Sequence, residues 1–177
     1  MSVLITIHVI LISFVLVVFL VGLFLPNRKA VRRTAELHAL PEEIWAIMTN
    51  HEQQPRWRRG LKKVEIRERT PEGEVWTEYP TAGPAVTYRT RETNPNLRYE
   101  LEMTGTKAMR THRVLELEKK SIDVTRLDVT EYVDVKNPFI RVVAYLQFDP
   151  GSAIEQYLDE LSAEAARVSA KLESQTS

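Results

Sequence analysis

AIEQYLDELSAEAARVSAKL, residues 153–172, is the stretch on which the fold turns. Ile154, Tyr157, Leu158, Leu161, Ala165, Val168 and Leu172 recur at the three-, four- and seven-residue spacings of a helix with one apolar face. Glu155, Asp159, Glu160, Glu164, Arg167 and Lys171 are expected on the other side. Such a helix is roughly 30 Å long, and an apolar stripe of that length needs a partner of similar extent. Upstream lie short alternating runs and one short helical pattern. The partner is therefore expected to be a sheet, with the helix across its concave face and the functional space between them.

The 177 residues carry 24 Lys+Arg and 24 Asp+Glu. This balance offers no basic surplus, and no nucleic-acid partner is expected. All the charge lies after Pro26, which leaves a globular domain of roughly 150 residues, enough to bury a core without staples. There is no Cys, which excludes disulfides, thiolate catalysis and Cys-ligated metals.

VLITIHVILISFVLVVFLVGLFL, residues 3–25, is interrupted only by Thr6, His8, Ser13 and Gly22. About 20 apolar residues suffice to cross a bilayer. A cleaved signal peptide would have a charged start, a shorter apolar run and small residues before the cut; here the run is uncharged, long and ends in Leu-Phe-Leu-Pro. The expectation is an uncleaved single-pass anchor. Arg28, Lys29, Arg32 and Arg33 follow it directly, so the positive-inside rule places the rest in the cytoplasm, on a bacterial-type inner or plasma membrane. The expected divisions are an anchor over 1–27, a domain over 28–172 and a frayed tail over 173–177.

Within the domain, Val31, Ala35 and Leu37 alternate with polar neighbours as in a half-buried strand. Pro41, Glu42 and Glu43 read as the first turn of a short helix, where acidic residues favour the N-terminus. His51–Gly60 is expected to be a turn or second short helix. Trp57 there is either a core residue or the centre of a cationic patch made by Arg56, Arg58, Arg59, Lys62 and Lys63. Strands are expected around Val64–Ile66, Glu74–Tyr79, Val86–Thr90 and Leu97–Met103, with turns at Asn94-Pro95-Asn96 and Thr104-Gly105. Their alternation marks an antiparallel meander with one wet face. Phe139–Phe148 is expected to be a helix closing over the sheet, ended by Asp149-Pro150-Gly151-Ser152.

The last hairpin carries the most chemistry. Period-two alternation puts Thr111, Arg113, Leu115 and Leu117 on one face, and Leu127, Val129, Glu131 and Val133 on the matching face of the next strand. Folding at Lys119–Asp123 brings Arg113 and Glu131 opposite or one pair apart. Two inward charges are costly unless paired, so they are expected to pair, either beside a ligand's polar end or as a plain rim ion pair. No phosphate-cradling Gly loop, Gly-x-Ser-x-Gly or metal-ligand spacing is present, with His38, His51 and His112 far apart. No cofactor or metal is expected.

The order of strand, short helices, about six strands and a long crossing helix resembles the α+β helix-grip fold of the SRPBCC superfamily (START, polyketide cyclase and Bet v I types). LPEEIWAIMTN is similar to its opening helix, HEQQPRWRRGLKKVEI to its Pro-x-Trp…Val-Glu segment, and TRLDVTEYVDVKNPFIRVVAYLQF to its Thr-Arg…Thr-Glu…Asn-Pro-x-x-Arg passage. SAIEQYLDELSAEAA is similar to its final helix. The resemblance covers about Val31–Leu172; the anchor is an addition, and Arg113 stands where many relatives carry an aromatic. It implies a deep, largely apolar cavity, here lined by Tyr88, Tyr99, Leu101, Met103, Arg113 and Glu131, for a hydrophobic small molecule or lipid with one polar end. The alternatives are a cyclase- or dehydratase-like enzyme using Glu131 as acid or base, and an interaction module regulating a membrane partner.

Overall fold

The alternation of Arg28–Leu37 yields strand β1, whose Val31, Ala35 and Leu37 turn inward as expected. The computed structural model describes residues 2–106, 109–147 and 150–176. Ahead of β1 stands helix α1 (Ser2–Phe24), apolar on all sides and exposed along most of its length. Behind β1, Pro41 opens α2 (Pro41–Thr49), and Glu43 Oε2 accepts the Leu40 N–H at 2.9 Å. The two glutamates thus stand in the first turn of a helix, where the dipole favours them. A 3-10 turn follows at His51–Arg56.

Six strands come next: β2 (Leu61–Thr70), β3 (Gly73–Pro80), β4 (Val86–Asn94), β5 (Arg98–Thr106), β6 (Met109–Lys119) and β7 (Thr125–Val135). With β1 they form one antiparallel sheet in the order β1-β7-β6-β5-β4-β3-β2. Irregularities at Ile66/Glu68, Thr90/Glu92 and Met103/Thr106 break the register and bend the sheet. Thr104-Gly105 is not a turn, as the sequence suggests, but part of β5; the strand's ladder to β6 carries it on to Thr106, which pairs with Met109.

Two helices complete the chain, α3 (Pro138–Gln147) and α4 (Pro150–Thr176). α4 crosses the inner face of the sheet and buries Ile154, Tyr157, Leu158, Leu161 and Ala165. Val168 is half-buried, and the Leu172 side chain lies outside the described residues. Glu160, expected on the wet side, is buried instead. Its Oε1 accepts the Arg59 N–H at 3.3 Å and the Gln156 amide at 3.0 Å, so the junction before β2 covers it. The helix continues through the segment read as a tail, as far as Thr176.

α3 corrects the sequence reading most. It does not close over the sheet, whose inner face α4 already occupies; it leans on α1. The Phe19 and Phe139 rings lie 5.5 Å apart, and Arg141 Nη1 donates to the Gly22 and Leu25 carbonyls at 2.8 and 3.1 Å. Those carbonyls belong to the end of α1, where backbone acceptors lack helical partners. Phe148 and Asp149, read as the end of α3 and its breaker, lie outside the described residues.

Candidate functional site

The register of β6 and β7 places Arg113 directly opposite Glu131, on the inner face. Arg113 Nε and Nη2 both donate to Glu131 Oε2, at 2.9 and 2.6 Å, with the side chains 13% and 5% exposed. Burial opposes the guanidinium's charge, but the Glu131 carboxylate outweighs it and holds the Arg113 pKa above its usual value.

A second buried pair faces the first, which the sequence reading missed. Arg58 Nη1 donates to Glu78 Oε1 at 2.9 Å, and Trp76 Nε1 donates to the same oxygen at 3.3 Å. The signal was available: Trp76 is inward, and a period of two carries Glu78 to its face. Of the two readings of Trp57, the structure supports the core residue: Trp57 packs half-buried against the core, and Arg58 turns inward to Glu78.

Tyr157 of α4 joins the two pairs. Its ring centroid lies 5.5 Å from the Arg58 guanidinium and 5.9 Å from that of Arg113, with the Trp57 ring 5.9 Å away. Guanidinium groups stack readily on aromatic faces. Burial pushes the Tyr157 hydroxyl up to about 12, and that of Tyr88 likewise to about 12.

Deeper in, His51 stacks on Trp76 at 3.7 Å between ring centres, and Trp76 stacks on Tyr88 at 5.3 Å. The Gln54 amide donates to the Met48 carbonyl and to His51 Nδ1, while its oxygen accepts from Arg58. His51 Nδ1 is therefore the bare nitrogen, and Nε2–H donates to the Tyr99 hydroxyl at 3.1 Å. Burial, then the charges of Arg58 and Arg69, lowers the His51 pKa to about 3. His51 is a neutral member of a buried chain running from Tyr99 to Glu78.

Tyr88, Tyr99, Leu101 and Arg113 line one internal void together with His51, Arg58, Glu78 and Tyr157, while Glu131 stands beside Arg113. Met103 is buried two residues farther along the same strand face. The void measures about 20 Å³, room for about one water. The deep cavity implied by the resemblance is thus filled by Trp76, Tyr88, Tyr99 and Tyr157. A larger groove, about 520 Å³, opens outside, between α2, the 3-10 turn and α4, with Ile47, Trp57 and Val168 among its lining. Among the described residues no group of three His, Asp or Glu side chains converges to hold a metal ion.

A family model described as polyketide cyclase / dehydrase and lipid transport matches residues 28–166. The chain belongs to this family. Solved structures agree on the fold. A START superfamily protein from Mycobacterium smegmatis is 19% identical with a TM-score of 0.62, over 78% of this chain and 98% of that one. The Zhui aromatase/cyclase from Streptomyces sp. R1128 is 15% identical with a TM-score of 0.63, over 79% and 94%. Norcoclaurine synthase from Thalictrum flavum is 13% identical with a TM-score of 0.63, over 77% and 85%. No curated protein matches by sequence. The family member described here shares the helix-grip architecture with these proteins and adds α1 ahead of it.

Proposed function

We propose that this protein is a membrane-anchored domain that binds a small hydrophobic molecule with one polar, electron-rich end between the sheet and α4, on the cytoplasmic face. The observation that carries the reading is the Tyr157 ring beside the Arg58 and Arg113 guanidiniums. A grip interior that served packing alone would be filled with apolar side chains, since buried ion pairs add little net stability over them. Two guanidiniums, each neutralised by its own carboxylate and placed over an aromatic ring, make a receptor for a ring or head group of that kind. Tyr157 fills the receptor from within, and a ligand takes its place as the ring swings out. Tyr88, Tyr99, Leu101 and Met103 supply the apolar wall, and Glu131 keeps Arg113 charged and oriented. The family description, which covers cyclases, dehydrases and lipid transport, supports a hydrophobic ligand. The uncharged run of Val3–Phe24, with mean hydropathy 3.1, supports the anchor, which raises the effective concentration of a membrane-derived ligand.

Native mass spectrometry of the full chain, released gently from membranes, tests the reading. A reproducible added mass on the wild-type chain, or uptake of quinone or fatty-acid probes enhanced by Tyr157→Ala, supports it. A bare mass with both probes refused by both proteins overturns it. That result would favour a second reading, an interaction module, for which the specific observation is the void of about 20 Å³ inside against the groove of about 520 Å³ outside.

A further inference from the structure

α3 exposes an apolar stripe that the described residues leave mostly uncovered, with Phe139 alone in ring contact with Phe19 of α1. Phe139, Ile140, Val143 and Leu146 share one side at helical spacing and are 40%, 36%, 52% and 80% exposed. The opposite side holds the half-buried Pro138, Arg141 and Val142.

The position of α3 along α1 is fixed by contact. Gly22 is buried, and a Cβ there would meet the Pro138 carbonyl oxygen at 2.2 Å, so only glycine permits the approach. With the Phe19–Phe139 contact and the Arg141 bonds to the Gly22 and Leu25 carbonyls, α3 sits level with the last turns of α1. This inference rests on the proposed anchor: where α1 spans a bilayer, that level is where hydrocarbon gives way to head groups.

The charges suit that place. No Asp or Glu occurs from Met1 to Ala35, nor from Lys136 to Gln147; Lys29 and Arg141 lie at the α1–α3 junction by contact and Lys136 by sequence, while Arg28 pairs with Asp134 at the end of β7. Lys29 Nζ lies 5.6 Å from the centre of the Tyr145 ring. Cations beside an apolar stripe with Phe and Tyr form the pattern of a helix lying in the interface of an anionic membrane.

We infer that α3 is an interfacial helix, seated among the lipids of the bilayer that α1 crosses, with Phe139, Ile140, Val143 and Leu146 toward the acyl chains. The seat turns a single tether into a fixed orientation. The sheet end formed by the start of β1, the end of β7 and the beginning of α4 then faces the membrane, so that a membrane-derived ligand meets the grip from that side.

The chain has no native cysteine, so single nitroxide labels report position directly. Full-length Val143→Cys, Leu146→Cys, Leu16→Cys and Ile122→Cys are reconstituted in vesicles of phosphatidylethanolamine and phosphatidylglycerol. Collision rates with oxygen and with a water-soluble nickel chelate are then compared. The inference expects oxygen to exceed the nickel chelate several-fold at 143, 146 and 16, with the reverse at 122, an exposed site between β6 and β7. Water-like values at 143 and 146, with 16 in lipid, overturn the inference and leave the anchor standing. Labels at 143 and 146 shielded from both reagents overturn it in favour of a protein partner. A water-like value at 16 overturns the anchor reading and this inference with it.

Discussion

Arg113 and Glu131 stand directly across from one another on β6 and β7, and two nitrogens of the guanidinium meet a single carboxylate oxygen. Because both groups are buried, removing either strands the other. Arg113→Met or Glu131→Leu should each lower unfolding free energy by about 3–5 kcal/mol. The double replacement Arg113→Met, Glu131→Leu should recover most of that loss. Chemical denaturation of the four proteins checks the cycle; additive losses in the double variant would show that the pair is not a coupled unit.

His51 predicts a pH dependence. Its pKa falls from 6.5 to about 3 on folding, so below pH 6.5 the unfolded chain binds a proton that the folded chain refuses. The stability it contributes is complete above 6.5 and is lost as pH falls toward 3, by up to about 1.4 kcal/mol per pH unit. Glu74 Oε2, buried without a hydrogen-bond partner among the described residues, lies 3.9 Å from Nε2, while Arg58 and Arg69 oppose a positive charge on the ring. Denaturation of wild type and His51→Gln from neutral pH to pH 4 should show a shallower slope in the variant.

Leu161 is fully buried where α4 crosses the sheet. Leu161→Ala should cost about 2–5 kcal/mol by loss of burial and creation of a cavity. Asp159→Ala, at an exposed position on the same helix, should change stability by less than about 0.5 kcal/mol. Thermal unfolding of the two variants in the same detergent compares them.

Gly22→Leu should lever α3 from α1, because the added side chain meets Pro138 backbone. The grip, held by α4 and the sheet, should keep its own fold. The expected outcome is faster protease cleavage in residues 136–150 with an unchanged core, read by limited proteolysis and mass spectrometry. An unchanged cleavage pattern would show that the α1–α3 contact carries no strain on substitution.

Local periodicity in the chain specifies the elements, their order and most of their faces. Alternation in the strands and the apolar stripe of α4 suffice to read Arg113 and Glu131 as inward and close. Which faces meet at long range is a property of packing alone. Packing set Tyr157 of α4 between Arg58 and Arg113, closed the Arg58–Glu78 pair across the sheet's edge, and filled the expected cavity with aromatic rings. It also moved α3 from the sheet to α1, because a single glycine let two backbones approach and an arginine found the open carbonyls of a helix end. Side-chain volume and carbonyl satisfaction depend on three-dimensional neighbours, and no spacing along the chain encodes them.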